Sequence, residues 1–275
     1  MSEVIVSGGF DDLRVGHVRF IEGAARLGPV RALLWSDAVV ERLKGRPPKF
    51  PAAERRYLLE SLRDVASVTL CSDLADPDTL PLREASTPAI WAVEAAADLP
   101  AKREFCRSHG LGYCIVATAA HEIDGLDESG AADEPDEAAR PRVLVTGCFD
   151  WFHSGHVRFF EEVASLGDLY VVVGHDANIR LLKGEGHPHF SQSERRYLVQ
   201  AVRFVKQALI SSGSGWLDAA PEIERLRPQI YAVNEDGDKP EKRVYCQSHG
   251  IEYRVLRRVP KAGLPSRQST ALRGF

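Results

Sequence analysis

Two tandem α/β domains, each a doubly wound parallel sheet, are what the sequence predicts, and three observations carry the prediction. The chain repeats itself: Asp11 and Asp150 stand 139 residues apart, as do His17 and His156, and so do the Lys44-Gly45 and Lys183-Gly184 pairs. One residue is then gained, so that ERRYL at 54 to 58 returns at 194 to 198 and CRSHG at 106 to 110 returns as CQSHG at 246 to 250. Within each copy, short β-branched runs alternate with segments of helical period, the pattern of strands joined through crossover helices. Between the copies, residues 121 to 141 are acidic, contain Pro and Gly and lack apolar periodicity, which reads as a linker. The predicted boundaries are therefore a first domain at 1–120, a linker at 121–141 and a second domain at 142–275.

Element by element, the second copy opens with RVLVTGC, a β-branched run suited to a buried parallel strand. GHVRFFEEVASLG follows with the apolar spacing of an amphipathic helix, and LYVVVG reads as the next strand. SQSERRYLVQAVRFV predicts another helix, with Ser191 or Ser193 as its cap, and QALIS, QIYAVNE and EYRVLRR supply further strands. The first copy follows the same order. Alternation of this kind implies a Rossmann-like sheet, whose ligands bind at the carboxyl ends of the strands. TGCFDWFHSGH falls at that place, as strand, loop and helix start.

Composition excludes several classes. With 275 residues, 44% of them hydrophobic and 27% charged, the chain has material for two cores. A net charge of −4 provides no basic field for nucleic acid or an anionic membrane. The five cysteines form no CxxC pair and no zinc-type spacing. No run approaches the roughly 18 apolar residues of a membrane span, and the amino terminus lacks a basic region leading into an apolar one. The expectation is a reduced, cytoplasmic protein with no nucleic-acid partner. Hydride chemistry is disfavoured, because no GxGxxG follows either opening strand.

The loop at 145 to 156, VTGCFDWFHSGH, carries the chemistry. Gly147 permits close backbone approach, and His153 and His156 flank a helix start whose N–H groups favour an anion. Both imidazoles can donate to phosphate oxygens, with Gly155 between them leaving room for a base or ribose. Solvated or capping histidines are the alternative reading of such a string.

TGCFDWFHSGH, then LLKGEG with Lys183, then ERRYLVQAVRFV, then QSTALR, resembles the HxGH-type nucleotidyltransferases, in particular cytidylyltransferases for glycerol, choline and ethanolamine phosphates. The resemblance implies that His153 and His156 contact the nucleotide phosphates and stabilise charge at the attacked α-phosphorus. It implies that Lys183 reaches the phosphates, with Gly147, Phe149, Asp150 and Gly155 shaping the nucleotide loop. Arg203 matches an arginine of an RYVD-like block, although Lys206 replaces the acidic residue of that block. Ser269 and Thr270 match the closing serine and threonine, and either Arg258 or Arg267 stands for a nearby arginine. Asn234, Glu235 and Asp236 lie where the family reads the base and would accept from the amine of cytosine; an adenine amine would be read the same way.

The implied reaction moves a nucleoside monophosphate, CMP from CTP in the first instance, to a small phosphorylated alcohol or sugar alcohol and releases pyrophosphate. ATP acting on a sugar phosphate is the alternative, since RLLKGEGHPHF is also similar to heptose-phosphate adenylyltransferases. Mg²⁺ is expected with the triphosphate, and no protein-held metal is expected. His187 and His189 are read as a solvated loop or the lining of an acceptor pocket, and Trp151 and Phe152 as a nucleotide cover or core.

The first copy places Arg14 where the second has His153, has VEAAAD in place of VNEDGD, and has no counterpart of SRQSTALR. It reads as a degenerate domain, expected to pair with the second as an intrachain pseudo-dimer, with homo-oligomers also allowed. The tandem arrangement is similar to that of ethanolamine-phosphate cytidylyltransferase, where the amino-terminal copy is the one credited with catalysis. A nucleotide-sensing or scaffolding protein without turnover is the reading from a different class.

Overall fold

The computed structural model describes residues 2–81, 88–117 and 140–272, and of Thr270 and Ala271 it describes the backbone alone. The chain divides into two compact units, one holding the first copy and one the second. Most of the expected linker lies outside the described residues.

In the first unit the strands are β1 (Glu3–Gly8), β2 (Val30–Trp35), β3 (Val65–Cys71), β4 (Ala89–Glu94) and β5 (Gly112–Val116). The helices are α1 (Val15–Ala25), α2 (Asp37–Lys44), α3 (Ala52–Glu60) and α4 (Pro100–Ser108). The strands form one five-stranded sheet in the order β3-β2-β1-β4-β5, with every described pair parallel.

The second unit repeats this plan. Its strands are β6 (Arg142–Gly147), β7 (Asp168–Val173), β8 (Val205–Ile210), β9 (Ile230–Asn234) and β10 (Glu252–Leu256), in the order β10-β9-β6-β7-β8. Its helices are α5 (Ser154–Ala164), α6 (Asp176–Lys183), α7 (Gln192–Gln200), α8 (Ala220–Leu226) and α9 (Pro240–Ser248). Two Rossmann-like α/β domains in tandem are therefore what the sequence folds into.

The core explains why the strands read as continuous apolar runs. Val143, Leu144 and Val145 of β6 and Val171, Val172 and Val173 of β7 are fully buried, as expected of a parallel sheet covered on both faces. Each such side chain contributes about 1.5–3 kcal/mol by burial. On one face Leu144, Val172, Tyr231 and Val233 pack with Ile223 and Leu226 of α8 and Cys246 of α9. The sheet order makes β6 the point where the winding reverses, since its neighbours are β7 on one side and β9 on the other. A crevice at the carboxyl ends of β6 and β9 follows from that topology.

Helix ends differ from the sequence reading in one informative place. The helix expected over SQSERRYLVQAVRFV stops at Gln200. Val202 N–H turns to the Val199 carbonyl and Val205 N–H to the Val202 carbonyl, tight turns that hand the chain to β8. The β-branched Val202 and Val205 are buried there and suit a strand better than a helix. Ser191 is the cap: its hydroxyl accepts from Glu194 N–H at 3.3 Å, while the Glu194 carboxylate accepts from Ser191 N–H at 3.0 Å.

Candidate functional site

The site begins with how α5 starts. His153 is its cap, fully buried, and its Nδ1 accepts from the Gly155 N–H at 3.0 Å. The Nδ1 of His156 in turn accepts from the His153 N–H at 3.3 Å. When Nδ1 of a neutral imidazole accepts, its proton sits on Nε2, so both rings are held as Nε2 donors. The rings stack with centroids 3.9 Å apart, and Phe149 and Phe152 flank His156 at 5.3 and 5.6 Å. The Nε2 of His153 lies 3.4 Å from Ser269 Oγ.

Burial, then the charges of Arg258 and Arg267, push His153 down to about 3. Burial lowers His156 as well, helped by His153, Arg258 and Lys183. The pair is therefore neutral near pH 7, and the positive charge beside it belongs to Lys183, Arg258 and Arg267.

Two glycines have specific causes. A Cβ on Gly155 would come within 2.9 and 3.0 Å of the His153 ring, so the glycine lets the ring fold back onto its own helix start. A Cβ on Gly147 would meet the ring of Phe149 at 2.7 to 3.1 Å. The expected close approach at Gly147 is thus made by Phe149, whose own backbone sits at φ 53°.

A cleft of about 410 Å³ opens at the carboxyl ends of β6 and β9. Thr146 and Gly147 end the first of these strands, and Val233 and Asn234 end the second. Of the residues expected from the sequence, the cleft brings together Gly147, Phe149, Asp150, Gly155, His156, Lys183, Asn234, Asp236 and Ser269. Lys183 arrives as the last residue of α6. His153 stands behind His156 and meets Ser269.

Three expected residues fall differently. Arg203 is exposed in the turn that leads into β8, at the amino end of that strand and outside the cleft lining. A parallel sheet puts its ligand at the opposite end, so Arg203 is at the wrong edge for a nucleotide. Glu235 is also outside the lining, and its carboxylate accepts from the Arg258 N–H at 3.2 Å. The side chain of Thr270 lies outside the described residues. Between the two candidate arginines, Arg258 lines the cleft, ion-pairs with Asp236 and donates to the Arg267 carbonyl at 2.7 Å. Arg267 lines a smaller neighbouring pocket beside α5. Trp151 and Phe152 do not line the cleft; Phe152 is core, and Trp151 packs on His189 and Phe190.

Two further residues matter that sequence reasoning did not assign. Arg195, fully buried, donates to the carbonyls of Phe190, Cys148 and Gly174 at 2.9, 2.6 and 2.7 Å and to Asp176 at 2.7 Å. It ties the histidine loop to the end of β7 and the start of α6. The repeated ERRYL block was its signal, because Arg55 does the same in the first unit toward Phe50, Gly9, Trp35 and Asp37. Lys242, buried on α9, lines the cleft and donates to Thr146 Oγ1 at 3.3 Å. Its signal was Lys102, the same position of the first copy.

The first unit keeps the framework and rewires the loop. Arg14 N–H still donates to His17 Nδ1 at 3.1 Å, but the Arg14 guanidinium pairs with Asp12 at 2.6 Å, and Lys49 holds the same carboxylate at 3.2 Å. The charge that replaces His153 is spent inside the loop.

No helix among the described residues is long and apolar enough to cross a membrane. A family described as "Cytidylyltransferase-like" matches residues 144–237. The chain is 34% identical over 119 residues to an FAD synthase of Aciduliprofundum boonei, covering 42% of this chain and 76% of that one. It is 33% identical over 117 residues to the bifunctional protein HldE of Geobacter sulfurreducens, covering 42% of this chain and 23% of that one. Among solved structures, a lipopolysaccharide core biosynthesis protein of Thermoplasma volcanium matches at 26% identity and a TM-score of 0.38, over 44% of this chain and 98% of that one. With this likeness to the FAD synthase over most of that protein's length, and a cleft lined mainly by the matched segment, the chain belongs to the cytidylyltransferase-like nucleotidyltransferases.

Proposed function

We propose that the second unit transfers a nucleoside monophosphate from a nucleoside triphosphate to a small phosphorylated acceptor. The observation that carries this reading is the neutral Nε2 donor of His156, backed by His153, in a cleft lined by the cations Lys183, Lys242 and Arg258. The two lining carboxylates, Asp150 and Asp236, are engaged by backbone N–H groups and by Arg258, so the cleft presents net positive charge to a polyanion. At about 410 Å³ it has the size of a small-molecule site, typically about 300–1,000 Å³.

The chemistry needs no protein nucleophile. A phosphate oxygen of the acceptor bonds to the α-phosphorus, the bond from that phosphorus to the bridging oxygen breaks, and pyrophosphate leaves with the electron pair. His156, Lys183 and Arg258 stabilise the charge that builds on the phosphate oxygens. His153 holds the His156 ring by stacking on it and by donating its N–H to Nδ1, and Ser269 meets His153 in turn. Mg²⁺ fits as an ion carried by the triphosphate: among the described residues neither Asp150 nor Asp236 stands in a cluster of carboxylates, so phosphate oxygens and water would complete its shell, where it would neutralise phosphate charge.

For the nucleotide, ATP is the first choice. The similar FAD synthase is named for FAD, which joins an adenylyl group to a phosphorylated flavin, whereas the contacts of Glu235 and Asp236 with Arg258 bear equally on either base. CTP is the second reading, favoured by the family's description. The first unit, with Arg14 neutralised by Asp12, carries no turnover in this account. The test is transfer of α-labelled ATP or CTP to a panel of flavin mononucleotide, sugar phosphates, glycerol phosphate and aminoalcohol phosphates. A labelled product with equimolar pyrophosphate is expected, lost in His156→Ala; no product with any acceptor would favour a nucleotide sensor.

A further inference from the structure

We propose that Asp150, His187 and His189 form a binding site for a divalent metal of the zinc, cobalt and nickel class at the edge of the cleft. One potential ligand atom from each residue lies within 4.8 Å of the others, and His187 Nδ1 stands 3.8 Å from Asp150 Oδ2. Asp150 is buried and fixed: Oδ1 accepts from the N–H groups of His189 and Phe190, and Oδ2 accepts from His189 N–H at 3.0 Å. A carboxylate offers about four acceptor directions. Three are used, and the remaining one belongs to the oxygen nearest His187.

The donor set selects the ion. Two imidazoles and one carboxylate suit borderline ions such as Zn²⁺, Co²⁺ and Ni²⁺, whereas Mg²⁺ demands oxygen donors throughout. With bonds of about 2.0–2.2 Å, a tetrahedral ion sets its ligands roughly 3.3 Å apart. The present spacing therefore needs an inward turn of the exposed His189 ring, whose centroid is 5.6 Å from that of His187. Three protein ligands leave a position for water or for an oxygen donor from the cleft that Asp150 lines.

The first copy separates ligand duty from loop building. There Asp11 clamps the same loop through the N–H groups of Lys49 and Phe50 at 2.7 and 3.0 Å. The places of His187 and His189 are taken by Pro47 and Lys49, and the Lys49 ammonium sits on Asp12. The loop thus folds without imidazoles, and a fixed cation stands where the second copy gathers metal-type donors.

The experiment is a Co²⁺ titration of the untagged, chelator-stripped full-length protein in millimolar Mg²⁺, read by visible absorption and calorimetry. One Co²⁺ per chain is expected, with a spectrum of nitrogen and oxygen ligation. Binding should be lost in the His187→Ala/His189→Ala double variant and in His187→Pro with His189→Lys, which installs the first copy's residues. It should persist in His249→Ala, whose ring stacks on Tyr245. Absence of saturable binding, unchanged binding in the double variant, or a thiolate charge-transfer band would each overturn the proposal. None of these readouts depends on nucleotide turnover.

Discussion

Replacing Arg195 by Met should unlock the histidine loop while leaving the first unit untouched. The guanidinium satisfies three buried carbonyls and the Asp176 carboxylate, and no solvent reaches it. Met fills most of the volume but none of the acceptors. A buried acceptor left unpaired costs about 1–3 kcal/mol, and removing one partner of a buried ion pair about 3–5 kcal/mol. Asp176 is about a quarter exposed and recovers part of its share from water. The net expectation is a loss of about 3–5 kcal/mol from the second unit. Hydrogen exchange by mass spectrometry reads both units in one sample, with β1 as the internal reference for β6. At about 1.4 kcal/mol per decade, globally exchanging amides of β6 should speed up by roughly two to three and a half decades, while β1 keeps its rate. Arg195→Lys should fall between, because an ammonium cannot reproduce the fork. A change under tenfold in β6 would refute the claim that this arginine holds the site together.

Other outcomes follow from the same geometry. His153 is buried neutral with its pKa lowered to about 3, so the unfolded chain takes up its proton first as pH falls below about 6.5. Stability is therefore lost on acidification through that window, and His153 accounts for about 2 kcal/mol of the loss at pH 5. Urea melts of wild type and His153→Asn, an uncharged cap, should converge by that amount between pH 7.5 and pH 5; parallel pH profiles would count against the buried neutral ring. Gly155→Ala should lower turnover by at least roughly tenfold with the fold retained, because its Cβ would meet the His153 ring at 2.9 Å; wild-type rates would show the ring need not sit there. Arg258→Ala should weaken triphosphate binding while Arg203→Ala leaves it unchanged in calorimetry, and the reverse pattern would move the site to the other edge of the sheet.

Much of this is legible in the sequence. The repeat with its 139-residue offset gave two domains, and β-branched runs such as LYVVVG are buried strands because both faces of a parallel sheet are covered. The short helices α6 and α9 were not legible: each buries only two side chains, Asn178 and Ile179 in one and Lys242 and Cys246 in the other, too few to display a helical period. In the site, His156, Lys183 and Ser269, which the motif resemblance singles out, all line the strand-end cleft. The motif match names Arg203 and is silent on Arg195, because such a match carries no direction along the sheet. Only the fold shows that the residue before β8 is at the amino edge, whereas Arg195 on α7 reaches back to the Cys148 carbonyl. Glu235 and Asp236 looked like base readers because their partner, Arg258, is 22 or more residues away in sequence.

The central claim is that the second copy, and not the first, holds the triphosphate, with His156 among the residues that contact it. Calorimetric titration of the full-length protein with ATP and with CTP, each with Mg²⁺, tests it most directly, alongside His156→Ala and the matching His17→Ala. One nucleotide per chain, lost with His156→Ala and kept with His17→Ala, is the predicted result. Binding that disappears with His17→Ala, or no binding of either nucleotide, would contradict the account.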